Sequence, residues 1–260
     1  MTKTVERFSN RVADYAKYRP GYPGEIIHLL REDCGLTKDS LIADIGSGTG
    51  KLSELFLQNG NLVFAVEPNS AMRTAAEQLL SNEKQLRSIA GSAESTTLPD
   101  ASIDFITAGQ AFHWFDQPKA RLEFLRILKP GGWVVIIWNE RRLNATPFLK
   151  AYEQLLLKYG TDYREVRHEN TSKDISGFFA PNQLIVSAFE NTQEFDFEGL
   201  KGRVASSSYT PEPGSLASLR MLEALEAVFT KYAVKGRVVV EYDTRVYFGQ
   251  LSTQTYSISV

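Results

Sequence analysis

Three glycines at alternate positions, Gly46, Gly48 and Gly50, follow directly after the apolar run Leu41–Ile45. Glycine has no Cβ, so it lets the backbone turn tightly and lets a ligand approach the chain closely. The next segment, Lys51–Gln58, has apolar residues at helical spacing, so the pattern predicts a strand, a glycine turn and a helix. This order is typical of a nucleotide-binding βαβ unit, although a glycine triplet alone also fits a plain tight turn.

An acidic residue stands where such units recognise a ribose. Glu67 follows the apolar run Leu62–Val66 and comes about 20 residues after Gly46, which is the usual spacing. A carboxylate accepts hydrogen bonds from ribose hydroxyls and repels a 2′-phosphate, so we expect an unphosphorylated ribose. The alternative is a solvated loop glutamate. The helix that follows brings Met72 to the same edge, either as core or as an apolar contact for a planar base.

The elements that must position these residues alternate regularly along the chain. Apolar runs predict further strands at residues 86–90, 103–108 and 133–138, and residues 118–128 have an amphipathic pattern typical of a helix. Strand and helix therefore alternate five times between residues 41 and 138. We expect an α/β fold, a doubly wound Rossmann-like sheet with its ligand crevice at the carboxyl ends of the strands.

Elements on either side of this core complete the predicted fold. Helices are predicted over residues 5–18 and 25–33, and a breaker with Pro20 and Pro23 separates them. After residue 138, helices are predicted over 144–159, 173–185, 199–207 and 216–232, and strands over 193–197 and 237–248. These strands would complete a seven-stranded, mostly parallel sheet with an antiparallel final strand and helical lid insertions.

We expect these elements to form one compact domain with four segments. Residues 1–40 would be an N-terminal helical lid, 41–140 the Rossmann-like core, 141–235 helical acceptor-specificity insertions with one core strand, and 236–260 the final strand and tail. The lid could close over the ligand of the glycine loop, or it could be packed without any ligand role.

The charge and the cysteine and histidine content of the sequence limit which partners and ligands we expect. Lys and Arg number 29 against 31 Asp and Glu, so the charge gives no reason to expect a nucleic-acid partner. The pair Arg141-Arg142 is interpreted as solvated surface. Cys34 is the single cysteine, so no internal disulfide forms, and the histidines lack metal-ligand spacing, so we predict no metal. With no signal peptide and no apolar run long enough to cross a bilayer, we expect a cytoplasmic protein without a membrane partner.

Five motifs occur in order in the first half of the chain. They are Asp44-Ile-Gly-Ser-Gly-Thr-Gly50, Glu67-Pro68, Leu98-Pro-Asp-Ala-Ser-Ile-Asp-Phe105, Gln110-Ala-Phe-His-Trp114 and Leu128-Lys-Pro-Gly-Gly132. With these motifs the chain resembles the class I methyltransferases that depend on S-adenosylmethionine (SAM), specifically the type-11 group that includes trans-aconitate methyltransferase-like proteins. The resemblance covers about residues 8–140 and is looser in the remainder.

The resemblance implies SAM as the cofactor and S-adenosylhomocysteine as the product. The implied cofactor residues are Arg19, Asp44, Gly46, Ser47, Gly48, Gly50, Glu67, Pro68, Met72, Ser92, Ala93, Glu94 and Gln110. Asp44 and the glycine backbone would hold the methionine portion, and Glu67 would bind the ribose. Pro68 and Met72 would lie against the adenine.

Two parts of this implied cofactor site are less direct. Ser92 and Ala93 stand where many relatives have an aspartate that bonds the adenine amino group, so we expect that contact to pass to backbone or to Glu94. Gln110 and Arg19 could meet the amino-acid end, because an arginine fork pairs well with a carboxylate.

Six residues are expected to face the methyl acceptor. They are Tyr15, Tyr18, His113, Trp114, Arg203 and Tyr209. The last two stand beside Ser206 and Ser208 near a predicted helix end, where similar relatives carry an Arg and Ser/Tyr cluster, and Arg203 would suit a carboxylate. The alternative is a capped helix end with Arg203 in a surface ion pair.

His113 has two possible roles. Methyl transfer is an in-line displacement in which the protein mainly aligns the nucleophile and excludes water, so no acid or base is obligatory. His113 follows the fourth predicted strand and could deprotonate a hydroxyl or amine acceptor. Alternatively it packs beside Trp114 and bonds to backbone, and a carboxylate acceptor would arrive already ionised.

The predicted function is methyl transfer from SAM to a small-molecule acceptor, at a carboxylate or hydroxyl oxygen. One alternative is a non-catalytic SAM-binding protein that has kept the fold. Another is an NAD-dependent oxidoreductase, but that chemistry needs a hydride-transfer constellation such as a Tyr–Lys pair, and residues 110–114 do not provide one.

Overall fold

A computed structural model describes residues 12–164, 171–207 and 209–252 of this protein, without the side chains of residues 13–15 and 171–174. Several predictions concern residues outside this description. They are the start of the first helix before Val12, the side chain of Tyr15, Ser208, and the tail after residue 252.

The described helices and strands follow the predicted order. The helices are α1 Val12–Tyr18, α2 Glu25–Cys34, α3 Lys51–Gln58, α4 Ser70–Leu79, α5 Gln117–Ile127, α6 Pro147–Tyr159, α7 Thr171–Phe179, α8 Phe197–Ala205 and α9 Leu216–Tyr232. The strands are β1 Leu41–Ile45, β2 Leu62–Val66, β3 Leu86–Ile89, β4 Ile103–Gly109, β5 Leu128–Arg141, β6 Ile185–Phe195 and β7 Val238–Gly249.

The strands form one seven-stranded sheet in the order β3-β2-β1-β4-β5-β7-β6. Neighbouring strands from β3 to β5 pair in parallel, with Asp44 of β1 opposite Ala65 of β2 and Thr107 of β4. The predicted class, a Rossmann-like α/β sheet that is mostly parallel with an antiparallel final strand, is confirmed. This register brings the ends of β1, β2 and β4 to the same edge.

The chain divides into two units. The glycine-loop unit comprises Gly21–Trp138, Asn170–Phe189 and Thr244–Val260, and the second unit comprises Met1–Pro20, Asn139–Glu169 and Glu190–Asp243. The segment bounds predicted from the sequence stay a prediction.

Both faces of the sheet are covered in the glycine-loop unit. Alternate β5 residues belong to different apolar clusters, with Ile136 in one and Ile137 in the other. Helices α2 and α3 contribute to the cluster of Ile137, whereas α5 and α7 contribute to that of Ile136. Parallel strands that are buried on both sides need a continuous apolar sequence. The apolar runs of β1 and β5 therefore predict strands.

The second unit has an apolar core of its own. It is built from one face each of α6, α8 and α9 together with the start of β7, where Leu149, Leu200, Leu225 and Val240 are fully buried. Two tyrosines, Tyr152 of α6 and Tyr242 of β7, are buried in the same cluster. A buried phenol usually needs a hydrogen-bond partner, so these two tyrosines favour polar neighbours within this core.

Three predicted bounds differ most from those of the structure. The helix expected to reach residue 185 ends at Phe179, because Pro181 follows closely and cannot continue it. Strand β6 begins at Ile185 instead of residue 193 and has an alternating, half-exposed pattern with polar residues, so its apolar signal is weak. Strand β5 begins at Leu128 instead of residue 133 and includes the Pro-Gly-Gly sequence, whose residues are typical of turns.

Among the described residues, no helix combines the length and apolar composition that crossing a membrane requires.

Candidate functional site

The glycine loop between β1 and α3 has a left-handed backbone at each glycine. The φ angles are 68° at Gly46, 57° at Gly48 and 85° at Gly50. The N–H groups of Gly46 and Ser47 donate to the carbonyl of Val66, and that of Gly50 donates to the carbonyl of Ser47. Because these donors are used within the protein, the loop offers a close approach to backbone rather than an array of N–H groups for a phosphate.

The three glycines differ in what surrounds them. A Cβ at Gly46 would lie 2.7 Å from Ala111 Cβ, and one at Gly50 would lie 2.6 Å from Leu80 Cδ1. A Cβ at Gly48 would meet no atom within 4 Å. Packing therefore requires glycine at Gly46, and a Cβ at Gly50 would have to displace the end of the Leu80 side chain. Gly48, in contrast, borders open space that a ligand can fill.

Glu67 joins the glycine loop to the end of β2. Its Oε2 accepts from the N–H of Gly48 at 3.0 Å, and its Oε1 accepts from the N–H of Asn69 at 2.8 Å. Burial raises the pKa of Glu67, and these two backbone hydrogen bonds oppose that rise. A carboxylate can accept about four hydrogen bonds in all, so the group keeps acceptor capacity for hydroxyl donors.

Asp44 is fully buried at the end of β1. Its Oδ2 accepts from Ser53 Oγ of α3 at 2.6 Å, and its Oδ1 accepts from Thr107 Oγ1 of β4 at 3.2 Å. Burial raises the pKa of Asp44 to about 6, although both hydroxyls stabilise the charged form. The carboxylate thus ties together β1, β4 and α3 beneath the loop. No spacing in the sequence indicates its two hydroxyl partners.

The residues expected near the adenine follow β2 and β3. Met72 is 5% exposed, and Pro68 is exposed. Ser92 pairs with Ser95 through two backbone hydrogen bonds. Glu94 Oε1 accepts from the N–H of Asp116 at 2.9 Å and so secures the start of α5.

Beyond β4, Gln110 has a φ of 57°, which is uncommon for a residue with a side chain, and its N–H donates to the carbonyl of Ile137 at 3.0 Å. His113 and Trp114 are exposed on a short 3₁₀ turn, Phe112–Trp114. The His113 ring lies 4.3 Å from that of Trp114 and 5.2 Å from that of Trp138. The packing beside Trp114 is therefore present, and the base role stays a prediction.

Four other predicted site residues lie in the second unit. The ring of Tyr18 covers α8 at Gly202, where a Cβ would lie 2.0 Å from it. Arg19 Nη2 donates to the carbonyl of Ser206 at 3.1 Å, so its predicted role at the cofactor stays a prediction. Arg203, of α8, and Tyr209 are the other two.

Arg203 is buried, at 6% exposure. Its Nε donates to Tyr242 Oη at 3.3 Å and its Nη1 to Ser207 Oγ at 3.1 Å. Within the described part of the chain it makes no ion pair, so the alternative of a surface ion pair is wrong. Tyr242 Oη in turn donates to Gln193 Oε1 at 2.9 Å, which orients the phenol toward the guanidinium.

The interpretation of Arg141 as solvated surface is also wrong. Its side chain is only 9% exposed, and its Nη2 donates to Glu153 Oε2 at 2.5 Å and to Tyr163 Oη at 2.8 Å. Its Cζ lies 5.0 Å from the ring centroid of Tyr152. No sequence signal separated Arg141 from its neighbour Arg142.

These charges act together on Tyr209. Burial raises the pKa of this phenol, but the positive charges of Arg203, Arg19 and Arg141 and a hydrogen bond with Ser207 outweigh that effect, so the pKa of Tyr209 lies below its usual value. The second unit therefore contains a group of arginines whose positive charges act on a partly buried phenol.

Residues 43–136 match the profile of a family described as a methyltransferase domain. The glycine loop, Glu67 and the β4 edge all fall inside this match. An uncharacterized methyltransferase of Schizosaccharomyces pombe is 35% identical over 156 residues, which are 58% of this chain and 59% of that protein. Another, of Mycobacterium tuberculosis, is 35% identical over 134 residues, 52% of each chain. The match thus spans between 52% and 60% of the length of the first curated relatives.

Solved structures share the fold. A candidate type II methyltransferase from Anaeromyxobacter dehalogenans has a TM-score of 0.70 at 21% identity, over 90% of this chain and 98% of its own. A methyltransferase candidate from an antibiotic biosynthesis pathway of Anabaena variabilis has a TM-score of 0.62 at 22% identity, over 91% and 99%. The matches support the predicted class I SAM-dependent methyltransferase family and SAM as the cofactor.

The glycine loop fits this cofactor on two observations. Gly48 borders open space at the loop, and the buried Thr49 Oγ1 has no hydrogen-bond partner among the described residues. Glu67 adds acceptor oxygens beside Gly48, whose N–H donates to its carboxylate. An open backbone edge, an unused hydroxyl and a carboxylate suit a nucleoside without phosphate groups.

A Gly48→Ala variant should fold but bind S-adenosylhomocysteine at least about 10-fold more weakly, because the methyl group fills ligand space. The left-handed φ should lower the free energy of unfolding by about 1 kcal/mol. Gly60→Ala is the matched control, since its φ is 95° and its Cβ would meet only the Lys38 side chain at 3.6 Å. Urea unfolding and calorimetric titration check both variants; equal binding by Gly48→Ala and Gly60→Ala would contradict the assignment.

An Asp44→Asn variant should reveal the buried carboxyl through pH. The pKa of Asp44 is raised from 3.8 to about 6, so its contribution to stability is full below pH 4 and is lost as pH rises through about 6. From pH 4 to pH 7.5 the wild type should lose about 3 kcal/mol relative to the variant. Urea unfolding at several pH values measures this difference. In a Ser53→Ala background the loss should continue to higher pH, and a difference independent of pH would contradict the assignment.

Proposed function

We propose that this protein is a SAM-dependent methyltransferase that acts on a small-molecule acid, at a carboxylate or hydroxyl oxygen. The methyltransferase-domain match over residues 43–136 supports the transfer chemistry. The observation that carries the acceptor class is Arg203, a buried guanidinium that makes no ion pair within the described part of the chain.

A buried charge without a counter-charge is costly, so a protein that keeps one needs a reason for it. Phenols lie around Arg203: Tyr242 accepts its hydrogen bond, and Tyr152 belongs to the same buried cluster as Tyr242. A guanidinium offers paired N–H donors that match the two oxygens of a carboxylate. An acid group from the acceptor would supply the missing negative charge, and this also agrees with the trans-aconitate-like subtype.

The chemistry asks little of the protein beyond positioning. When bound, SAM supplies an electrophilic methyl group on a sulfonium. Glu67, Thr49 and the backbone at Gly48 would hold the nucleoside, and Arg203 would orient the acid. An ionised carboxylate is already a nucleophile, so alignment and exclusion of water supply most of the acceleration.

An Arg203→Met variant should raise the KM for acidic acceptors by about 10- to 100-fold, because a charge-assisted hydrogen bond is lost. The assay measures methyl groups transferred from labelled SAM to a panel of monocarboxylic, dicarboxylic and hydroxy acids. Lys201→Ala, on the same helix, is the control, because Lys201 pairs with Glu198 and lies over the ring of Phe197 rather than in the buried cluster. An unchanged KM in Arg203→Met would exclude the binding role, and no transfer to any acid, despite S-adenosylhomocysteine binding, would favour a non-catalytic protein.

His113→Ala separates the two oxygen acceptors. With a carboxylate acceptor, kcat should stay within about 3-fold of wild type, since no proton has to be removed. With a hydroxyl acceptor that needs a base, kcat should fall by about 100-fold or more and lose its pH dependence near neutrality. Turnover from pH 6 to pH 9 distinguishes these outcomes; a loss of that size with carboxylates would contradict the proposed chemistry.

A further inference from the structure

Arg73 lies in the first turn of α4 and holds the chain where β2 ends. Its Nη1 donates to the carbonyl of Glu67 at 2.7 Å and to the carbonyl of Pro68 at 3.0 Å. Within the described ranges of the chain, no backbone N–H donates to either carbonyl. Arg73 therefore fixes the backbone of the residue whose side chain is expected to bind the ribose.

The needs of α4 do not explain a cation at this position. The first turn of a helix carries a partial positive charge, so an arginine there is unfavourable. The contacts of Arg73 are neutral carbonyls, and among the described residues no carboxylate pairs with it to offset this cost. The helix is capped independently, because the side chain of Asn69 accepts from the N–H groups of Ala71 and Met72. The turn at Glu67 and Pro68 is thus what the arginine serves.

Glu67 is held at its side chain and at its backbone. The carboxylate accepts from the N–H groups of Gly48 and Asn69, while the carbonyl accepts from Arg73. Fixing both ends of one residue leaves its carboxylate oxygens in a single place. A hydroxyl donor can then bind without first ordering the acceptor, which is the advantage of a preorganised contact.

The charge of Arg73 also acts on this carboxylate. Burial raises the pKa of Glu67, and the positive charge of Arg73 is one of the effects that lower it. The other charged group that interacts with Glu67 is Asp44 at the end of β1, and β3 meets Glu67 through its backbone, at the carbonyl of Ile89. An ionised carboxylate only accepts hydrogen bonds, whereas a protonated one gives up part of that capacity. Arg73 thus favours the form that suits two ribose hydroxyls.

We infer that Arg73 is a positioning residue for the ribose of the cofactor, which acts through Glu67 by holding its backbone and by keeping its carboxylate ionised. This inference rests on SAM as the cofactor, which is part of the proposed function, and not on the acceptor. It gives α4 a part in binding that neither the glycine loop nor the spacing of Glu67 indicates.

The first test measures the binding of S-adenosylhomocysteine by calorimetry at pH 7.5. Arg73→Met should weaken binding by about 10-fold, as expected when a charge-assisted contact is lost. Arg73→Lys should restore most of the affinity, because a single nitrogen makes both contacts and an ammonium can donate to two carbonyls. Wild-type affinity in Arg73→Met would overturn the inference.

Arg87→Met is the matched control. Arg87, of β3, also uses Nη1 to donate to two carbonyls, those of Lys84 at 2.8 Å and Leu86 at 2.9 Å, but it does so where β3 begins. Its loss should leave the affinity for S-adenosylhomocysteine within about 2-fold of wild type, since the ligand crevice lies at the carboxyl ends of the strands. An equal loss in Arg87→Met and Arg73→Met would mean a general effect of removing an arginine and would overturn the assigned role.

The second test uses pH to show that Arg73 acts through Glu67. Without the arginine the pKa of Glu67 rises further, so binding should weaken at a higher pH than in the wild type as pH falls. The ratio of the dissociation constants of Arg73→Met and wild type should therefore grow between pH 8 and pH 5. In a Glu67→Gln background the ratio should not change with pH, and Asp44 cancels because every protein in the comparison retains it. A ratio that is constant with Glu67 present, or that grows equally with Gln at this position, would overturn the inference.

The outcomes separate this inference from the proposed function. Tight binding of S-adenosylhomocysteine by the wild type and by Arg73→Met alike would keep the proposed function and overturn the role of Arg73. An Arg73-dependent affinity without methyl transfer to any acid would support the role of Arg73 and contradict the proposed activity. If Arg73→Met does not fold, as judged by its thermal transition, Arg73→Gln replaces it in both tests, because it lacks the charge but keeps an N–H donor.

Discussion

The carboxylate of Glu67, held between the N–H groups of Gly48 and Asn69, is the constraint on which the cofactor edge depends. It fixes the glycine loop after β1 to the turn after β2 at two hydrogen bonds of 3.0 Å and 2.8 Å. Since both donors are backbone groups, the loop keeps its left-handed conformation without a phosphate to organise it. Contacts within the protein thus hold the loop in one conformation, and preorganisation of this kind lowers the entropy lost on binding.

Asp44 adds a second buried carboxylate under the same loop. Its hydroxyl partners on α3 and β4 reduce the cost of burying its charge without removing it, as the raised pKa shows. Asp44, Glu67 and Arg203 are charged residues that are buried in this chain. An apolar residue of similar volume would be less costly to bury at these positions. Such costs are typical of binding sites, where local stability is exchanged for preorganised polar groups.

The fold and the cofactor edge were predictable because their signals are local. A buried parallel strand needs continuous apolar residues, a left-handed turn favours glycine, and a ribose-binding acid follows at a fixed spacing, so β1, the loop and Glu67 could be found within a short window of sequence. Strand β6 was placed wrongly at its start because an edge strand with one exposed face has little apolar signal. Its position next to β7 depends on pairing between distant segments.

The arginine cluster shows why the remainder could not be predicted. Its arginines, Arg141 and Arg203, come from β5 and α8, and the tyrosines packed with them, Tyr152 and Tyr242, come from α6 and β7. No spacing in the sequence connects these residues. Arg141 and Arg142 are adjacent and chemically identical, yet successive residues of a strand point to opposite faces, so one is buried against Tyr152 and the other pairs with surface carboxylates. Charge composition treats the two as equal. Only the fold, which sets the neighbours of each guanidinium, distinguishes the buried arginine from the one beside it.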